Sequence, residues 1–185
     1  MTCIVGLIDN GKVYIGADSQ ATAGYVKHTL PAGAAKVFKL GDMLIGCCGD
    51  VRGANILRYR FTPPAHHPPD MDDATFIATT VVDAMRACFK DAGASKIENS
   101  VEETGGSLFV IGYHNRLFRI GGDWSVFETA EPYMVTGSGQ EFALGALYAG
   151  TGKTPKARIE KALEAAEKFD IYCRGPFVIE ELSAA

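Results

Sequence analysis

The chain lacks any apolar run approaching the roughly 20 residues that a membrane-spanning helix needs, so insertion into a bilayer is not expected. It also lacks a basic surplus. Eighteen Lys and Arg stand against 22 Asp and Glu, a formal net charge of −4, and the electrostatic footprint of a nucleic-acid binder is missing. Among five cysteines (Cys3, Cys47, Cys48, Cys88 and Cys173) there is no C-x-x-C pair. An odd number without that pairing argues against a disulfide framework and a zinc ribbon, and leaves the cysteines as small buried hydrophobes. No G-x-S-x-G occurs, and no histidine is placed to complete a serine or cysteine triad. No charged-then-apolar leader precedes Thr2, which predicts a cytoplasmic location.

What is present suits a globular chain whose partner is protein, peptide or small molecule. At 185 residues, 47% hydrophobic and 22% charged, it has the size of one well-buried domain spanning 1–185. "TCIVGLID" and "KVYIGAD" flank Asn10-Gly11, a pair that tolerates the positive φ of a type I′ hairpin. "KVFKL" and "MLIGCCG" read as two more strands around Gly41-Asp42. Helical spacing then runs from Val51 through Tyr59 and breaks at "TPPAHHPPD", whose four prolines make it a loop. Asp72 or Asp73 is placed to cap a helix to about Ala92, with Phe76, Val81, Met85, Cys88 and Phe89 near one face.

"SLFVIGY" and "RLFRIGG" predict strands meeting at His114-Asn115. "VTGSGQEFALGALYAG" predicts a strand, a glycine turn and a helix, "TPKARIEKALEAAEKF" a second helix with Pro155 in its first turn, and "FVIEEL" a closing strand. Two strand blocks, each followed by a helix pair, predict an α+β fold in four layers: two antiparallel sheets face to face with helices outside both, an αββα sandwich.

Two tempting groups carry little chemistry. "GTGKT" at Gly150 to Thr154 resembles the end of a phosphate-binding loop, but Leu147 stands where the first glycine is needed, no strand leads in, and Pro155 follows. His66 and His67 are adjacent in a proline-rich loop without an evident third metal ligand, and His28 and His114 stand alone.

Thr2 is different. A small residue behind the initiator Met1 favours removal of the methionine, leaving a hydroxyl and a free α-amine on one residue. That amine ordinarily titrates at about 7.7 to 8.0, close enough to neutrality to act as a base for its own hydroxyl. Such a site needs a nearby cation and a carboxylate to hold it; Lys36 and Asp18, at strand ends, fit those roles. The strand end "IGCCGD" could offer a backbone N–H to an oxyanion.

"T-x-I-V-G", "GADSQAT" from Gly16 to Thr22, "AKV" around Lys36, "GCCGD" at 46–50, "TGSG" at 136–139 and "DIYCRGPFVIEEL" together resemble the proteasome β-subunit family of N-terminal nucleophile hydrolases, and within it the HslV-type peptidase of the bacterial ATP-dependent protease. The resemblance spans nearly the whole chain and implies the same αββα fold. It implies Thr2 as nucleophile, its α-amine as base, and Lys36 and Asp18 as the pair that tunes them. It also implies Gly49, with Gly46 as a rival, at the oxyanion, Ser138 between Gly137 and Gly139 contacting the amine, and Asp170 from a D-x-x-S pattern.

Cys173 stands where that pattern has Ser or Thr, and the loop 62–73 is longer than in the HslV type. A structural Na+ or Mg2+ is implied on the main-chain carbonyls of Glu167, Asp170 and Cys173, Glu167 replacing a glycine, although the chemistry itself needs no cofactor. The implied function is a threonine endopeptidase acting on protein or peptide within a homo-oligomeric ring fed by an ATPase unfoldase ring. Two alternatives stay open: a catalytically silent ring subunit that keeps Met1, and an amidase of small amides.

Overall fold

Strict alternation along four strands sets the architecture. In the computed structural model, which describes residues 1–65, 67–150 and 153–182, β1 (Cys3–Asp9) sends Cys3, Val5 and Leu7 to one side and Ile4 to the other. In β2 (Lys12–Ala17), Val13, Ile15 and Ala17 join Ile4, while Tyr14 joins Cys3. The turn between them has Asn10 and Gly11 at φ 48° and 74°, the expected type I′ pair. A period of two with both faces buried means that each sheet is covered on both sides.

After the exposed ribbon of β3 (Gln20–Ala23) and β4 (Val26–Thr29) come β5 (Val37–Leu40) and β6 (Met43–Gly49), followed by α1 (Val51–Tyr59). The Asp50 carboxylate caps α1 by accepting the Arg52 N–H at 2.9 Å. Asp72, rather than Asp73, caps the next helix, accepting the N–H groups of Ala74 and Thr75. That helix runs as α2 (Asp73–Thr75), a π-helical stretch Phe76–Val81, and α3 (Val82–Asp91). The wider π turn explains why the buried pairs Phe76/Ile77 and Val81/Val82 fall five residues apart, not the three or four of an unbroken helix.

A second ribbon, β7 (Lys96–Glu98) and β8 (Val101–Glu103), precedes β9 (Ser107–Tyr113), β10 (Arg116–Ile120), the short β11 (Val126–Phe127) and β12 (Tyr133–Gly137). α4 (Gln140–Tyr148), α5 (Pro155–Phe169) and β13 (Val178–Leu182) complete the chain, with Thr154 capping α5 through the Ala157 N–H. Of the glycine-rich string before α5, Thr151 and Gly152 lie outside the described residues, as does His66.

One antiparallel sheet has the order β12-β1-β2-β13 and the other β11-β10-β9-β6-β5. Helices α4 and α5 cover the first through Cys3, Val5, Leu7, Ile159 and Leu163; α1 and α3 cover the second through Ile45, Phe109, Ile111, Leu57 and Phe89. Between the sheets lie Ile4, Ile15, Val37, Leu44, Val110 and Met134. This is the expected four-layer αββα sandwich. The two ribbons were not anticipated, because their residues are mostly exposed and polar and give no apolar alternation. Nor does the proline-rich loop leave its histidine isolated: it folds back until the His67 ring lies 5.9 Å from that of His114.

The sheets approach closely at Gly46, where a Cβ would lie 2.5 Å from Ile4 Cγ2 and 3.1 Å from Ile15 Cγ2. Gly46→Ala is therefore expected to destabilise the protein by about 1–3 kcal/mol, the usual cost of overpacking. A shift of the urea midpoint at unchanged slope measures it; a midpoint equal to wild type would contradict this packing.

Candidate active site

Five chain segments meet at the residue before β1. Cys3 pairs with Gly137 of β12, and Ile4 with Ala17 of β2. Thr2 is thereby held between the start of the Gly137–Gly139 turn and Asp18, which directly follows β2. Lys36 enters from the other sheet just before β5, and Gly49 ends β6.

The centre of the site is a buried ion pair. Lys36 Nζ lies 2.8 Å from Asp18 Oδ1 and 2.9 Å from Oδ2, and donates a third hydrogen bond to Thr2 Oγ1 at 2.8 Å. Thr2 is 3% exposed, Asp18 1% and Lys36 9%. Buried charges need such partners, and Asp18 has more: Oδ1 accepts the Cys3 N–H at 3.0 Å, and Oδ2 those of Gln20 at 2.9 Å and Arg174 at 3.4 Å. The ammonium is thus aimed at the threonine hydroxyl by a carboxylate that three backbone segments orient.

On the opposite side, Ser138 Oγ accepts the Thr2 N–H at 3.2 Å, and the Thr2 carbonyl accepts the Gly139 N–H at 3.4 Å. Gly137 has φ +103°, and a Cβ there would sit 2.1 Å from the Thr2 carbonyl oxygen, so no other residue fits. At Gly139 a Cβ would press on Ala166 at 2.8 Å and Cys173 Sγ at 3.0 Å, which keeps the turn against α5.

Asp170, at the C-cap of α5, accepts the Tyr172 N–H at 3.0 Å and the Cys173 thiol at 3.2 Å. Burial pushes its pKa up, but hydrogen bonds from Ser138, Tyr172 and Cys173 outweigh that and hold the carboxyl below its ordinary value. Cys173 therefore still supplies the donor that a serine would, more weakly. The thiols of Cys3, Cys47 and Cys173 are pushed far up, chiefly by burial, which leaves them protonated and unsuited to attack.

The two rival glycines separate cleanly. Gly46 is wedged between the sheets, whereas Gly49 is exposed, has φ +91° and lines the cleft beside Thr2. One cleft runs from Thr2 past Gln20, Thr22, Asn55 and Arg58; a second leaves Thr2 past Ser138, Gln140, Arg119 and Asp123, and the two share Met1, Thr2, Cys48 and Gly49. Gln20 and Arg58 were missed by sequence reasoning: Gln20 lies within "GADSQAT" but was given no role there, and Arg58 belongs to no motif. Gln20 is 3% exposed, and its Oε1 finds no hydrogen-bond partner among the described residues. The guanidinium of Arg58 lies over the Phe38 ring, 4.1 Å from its centroid, and bonds the Ala35 carbonyl beside Lys36.

The three expected cation ligands follow one another along the last turn of α5 and the segment just after it. Glu167 belongs to its last turn, where carbonyls lack helical partners, and the Asp170 carbonyl keeps one lone pair after accepting the Cys173 N–H at 3.1 Å. An oxygen donor set at a helix C-terminus fits a hard cation such as Na+ or Mg2+.

Two packed antiparallel sheets between helix layers, with a threonine, lysine and aspartate at the edge of the first strand, define the N-terminal nucleophile hydrolase class. The chain matches the family described as "Proteasome subunit" over residues 1–169, and it belongs to that family. It is 27% identical over 188 residues to the ATP-dependent protease subunit HslV of Aquifex aeolicus, covering 98% of this chain and 97% of that one, and 29% identical over 189 residues to HslV of Borrelia recurrentis, covering 98% and 97%. In fold it is similar to Thiobacillus denitrificans BPH (TM-score 0.82, 21% identity, 99% and 98% of the two chains) and to eukaryotic HslV from Trypanosoma brucei (TM-score 0.69, 19% identity, 98% and 99%). Among the described residues no helix is long and apolar enough to cross a membrane.

Two outcomes are expected from this geometry. Lys36→Met leaves Asp18 buried without its counter-ion and should cost about 3–5 kcal/mol, read as a lowered urea midpoint. Asp170 has a folded pKa below its unfolded one, so its contribution is present above about pH 5 and lost as pH falls through the folded value. Asp170→Asn should therefore be less stable than wild type near neutrality, with the difference shrinking below about pH 4; a pH-independent difference would contradict the assignment.

Proposed function

We propose that the chain is a threonine-type peptidase whose nucleophile is Thr2 once Met1 has been removed. The observation that carries this reading is the 2.8 Å contact of Lys36 Nζ with Thr2 Oγ1, made while Asp18 holds the same ammonium. Met1 is 56% exposed, which leaves it open to an aminopeptidase.

With the α-amine free beside Ser138, it takes the hydroxyl proton as Thr2 Oγ attacks the peptide carbonyl carbon. The Lys36 charge stabilises the oxygen as it loses its proton, and the Gly49 N–H faces the oxyanion. Collapse breaks the C–N bond, the α-ammonium returns its proton to the leaving amine, and a threonyl ester remains. Water, deprotonated by the same amine, then hydrolyses the ester. Asp170 positions Ser138, and a Na+ or Mg2+ on the carbonyls of Glu167, Asp170 and Cys173 would fix the connection from α5 to β13; no step passes through it.

Two clefts joined at Thr2 suit an extended peptide running across the nucleophile better than a compact small amide. The names of the sequence relatives, subunits of an ATP-dependent protease, support placing this chain in a homo-oligomeric ring that receives unfolded protein from an ATPase partner.

Intact mass before and after a threonine-reactive β-lactone tests the reading. The expected result is loss of Met1 and one adduct on Thr2, with peptide hydrolysis reduced by roughly 10⁴-fold or more in Thr2→Ala while the fold is kept. Retained Met1 without an adduct would sink the reading and favour a silent ring subunit. Light scattering reports the ring separately.

A further inference from the structure

At the end of the five-stranded sheet remote from Thr2, the proline-rich loop, the start of α2 and the β9–β10 turn bring together His67, Asp73 and His114. Their ligand atoms all lie within 4.8 Å of one another, and they form the one such group of three among the described residues. His114 Nδ1 is 3.0 Å from Asp73 Oδ1, and His67 Nδ1 is 3.6 Å from the same oxygen. In a tetrahedral zinc site with bonds of about 2.0–2.2 Å, neighbouring ligand atoms lie roughly 3.3–3.6 Å apart, and the two histidine–Asp73 separations lie on either side of that range's lower part.

The surroundings fix the ligands in the required form. His67 Nε2 lies 2.8 Å from the Met71 carbonyl, which can only accept; Nε2 therefore carries the proton and Nδ1 presents its lone pair to Asp73. That outer hydrogen bond is the usual support of a metal-bound imidazole. The His67 ring stacks on Phe76 at 4.4 Å and that of His114 on Tyr113 at 4.0 Å, which holds both orientations. Arg116, whose charge is felt by Asp73, is held by Glu128 through two hydrogen bonds of 2.8 and 2.6 Å and lies 4.0 Å from Asp72. A single carboxylate charge is thus left between two imidazoles.

We propose that His67, Asp73 and His114 bind one divalent transition ion of the Zn2+ or Co2+ type. Two nitrogens and one oxygen suit such an ion better than Ca2+ or Mg2+, which prefer oxygen alone. On binding, the proton on His114 Nδ1 leaves that nitrogen, and the Tyr113 hydroxyl, 3.2 Å from His67 Nδ1, gives up its place there. His114 is 41% exposed on its side chain, so the fourth position opens to water. The ion clamps the loop to the β9–β10 turn. Tyr113 pairs with Met43 at one end of β6 and Ser107 with Gly49 at the other, a separation of roughly 20 Å along the strand, so the site is independent of the peptidase reading.

Titration of the full chain, stripped of metal with EDTA, with Co2+ followed by Zn2+ tests the proposal. One equivalent of Co2+ should give visible d–d bands without a thiolate charge-transfer band, and Zn2+ should displace it. His114→Asn keeps a residue that tolerates the φ of 49° at this position while removing the imidazole, and should weaken Co2+ affinity by more than roughly tenfold, as should Asp73→Asn. Unchanged circular dichroism of both variants checks that they fold; if either is unfolded, His67→Gln takes its place. Absence of the bands, a thiolate band, or equal affinity of wild type and folded variants overturns the proposal.

Discussion

Everything at the candidate active site depends on the ion pair between Lys36 and Asp18. Two charges with almost no solvent access are tolerable only when each is matched, and here the matching groups belong to both sheets and to the segment after α5. The carboxylate is tied to the backbone of Cys3, Gln20 and Arg174, so it cannot turn away. The ammonium follows it, and its remaining hydrogen bond falls on Thr2. Position of the nucleophile is thus a consequence of how a buried negative charge is satisfied. A pair with fewer backbone contacts would hold the same residues with less definition.

The sandwich supplies what that pair requires. Small residues where the sheets meet, Gly46 among them, let β6 lie close to β1, so that Lys36 from one sheet reaches Asp18 from the other. At Gly137 the chain approaches the Thr2 carbonyl so tightly that a side chain is excluded. Together with the N–H of Gly139, this fixes the main chain of the nucleophile independently of its hydroxyl.

Local rules made much of this legible. Asn10-Gly11 announced its hairpin, Pro155 the first turn of its helix, and the order of strand blocks and helix pairs the four layers. Thr2, Lys36 and Asp18 were read from their chemistry and Ser138 and Asp170 from family likeness, and the structure brings the five together. Gly49 was preferred to Gly46 from the likeness, and the packing separates the two, since Gly46 is wedged between the sheets while Gly49 is exposed beside Thr2. The β3–β4 and β7–β8 ribbons were invisible because exposed polar strands carry no burial signal. His67 seemed to have no third ligand near it and His114 looked solitary, because nothing local records that a proline-rich loop folds back across a distant hairpin. The places of Gln20 and Arg58 in the cleft were not legible, since a pocket wall is defined by what stands across from it.

The hydrogen bond from the Thr2 nitrogen to Ser138 exists with Met1 still attached, when that nitrogen is an amide. Lys36 and Asp18 are already in place around it. In the proposed reading, removal of Met1 frees that nitrogen and releases the Thr2 hydroxyl, which donates to the Met1 carbonyl at 2.5 Å, while Lys36, Asp18 and Ser138 keep their places. Latency in such a protein is chemical, not conformational: no loop has to order and no helix has to shift. What restrains the mature site must therefore be control over which chains are allowed to reach it.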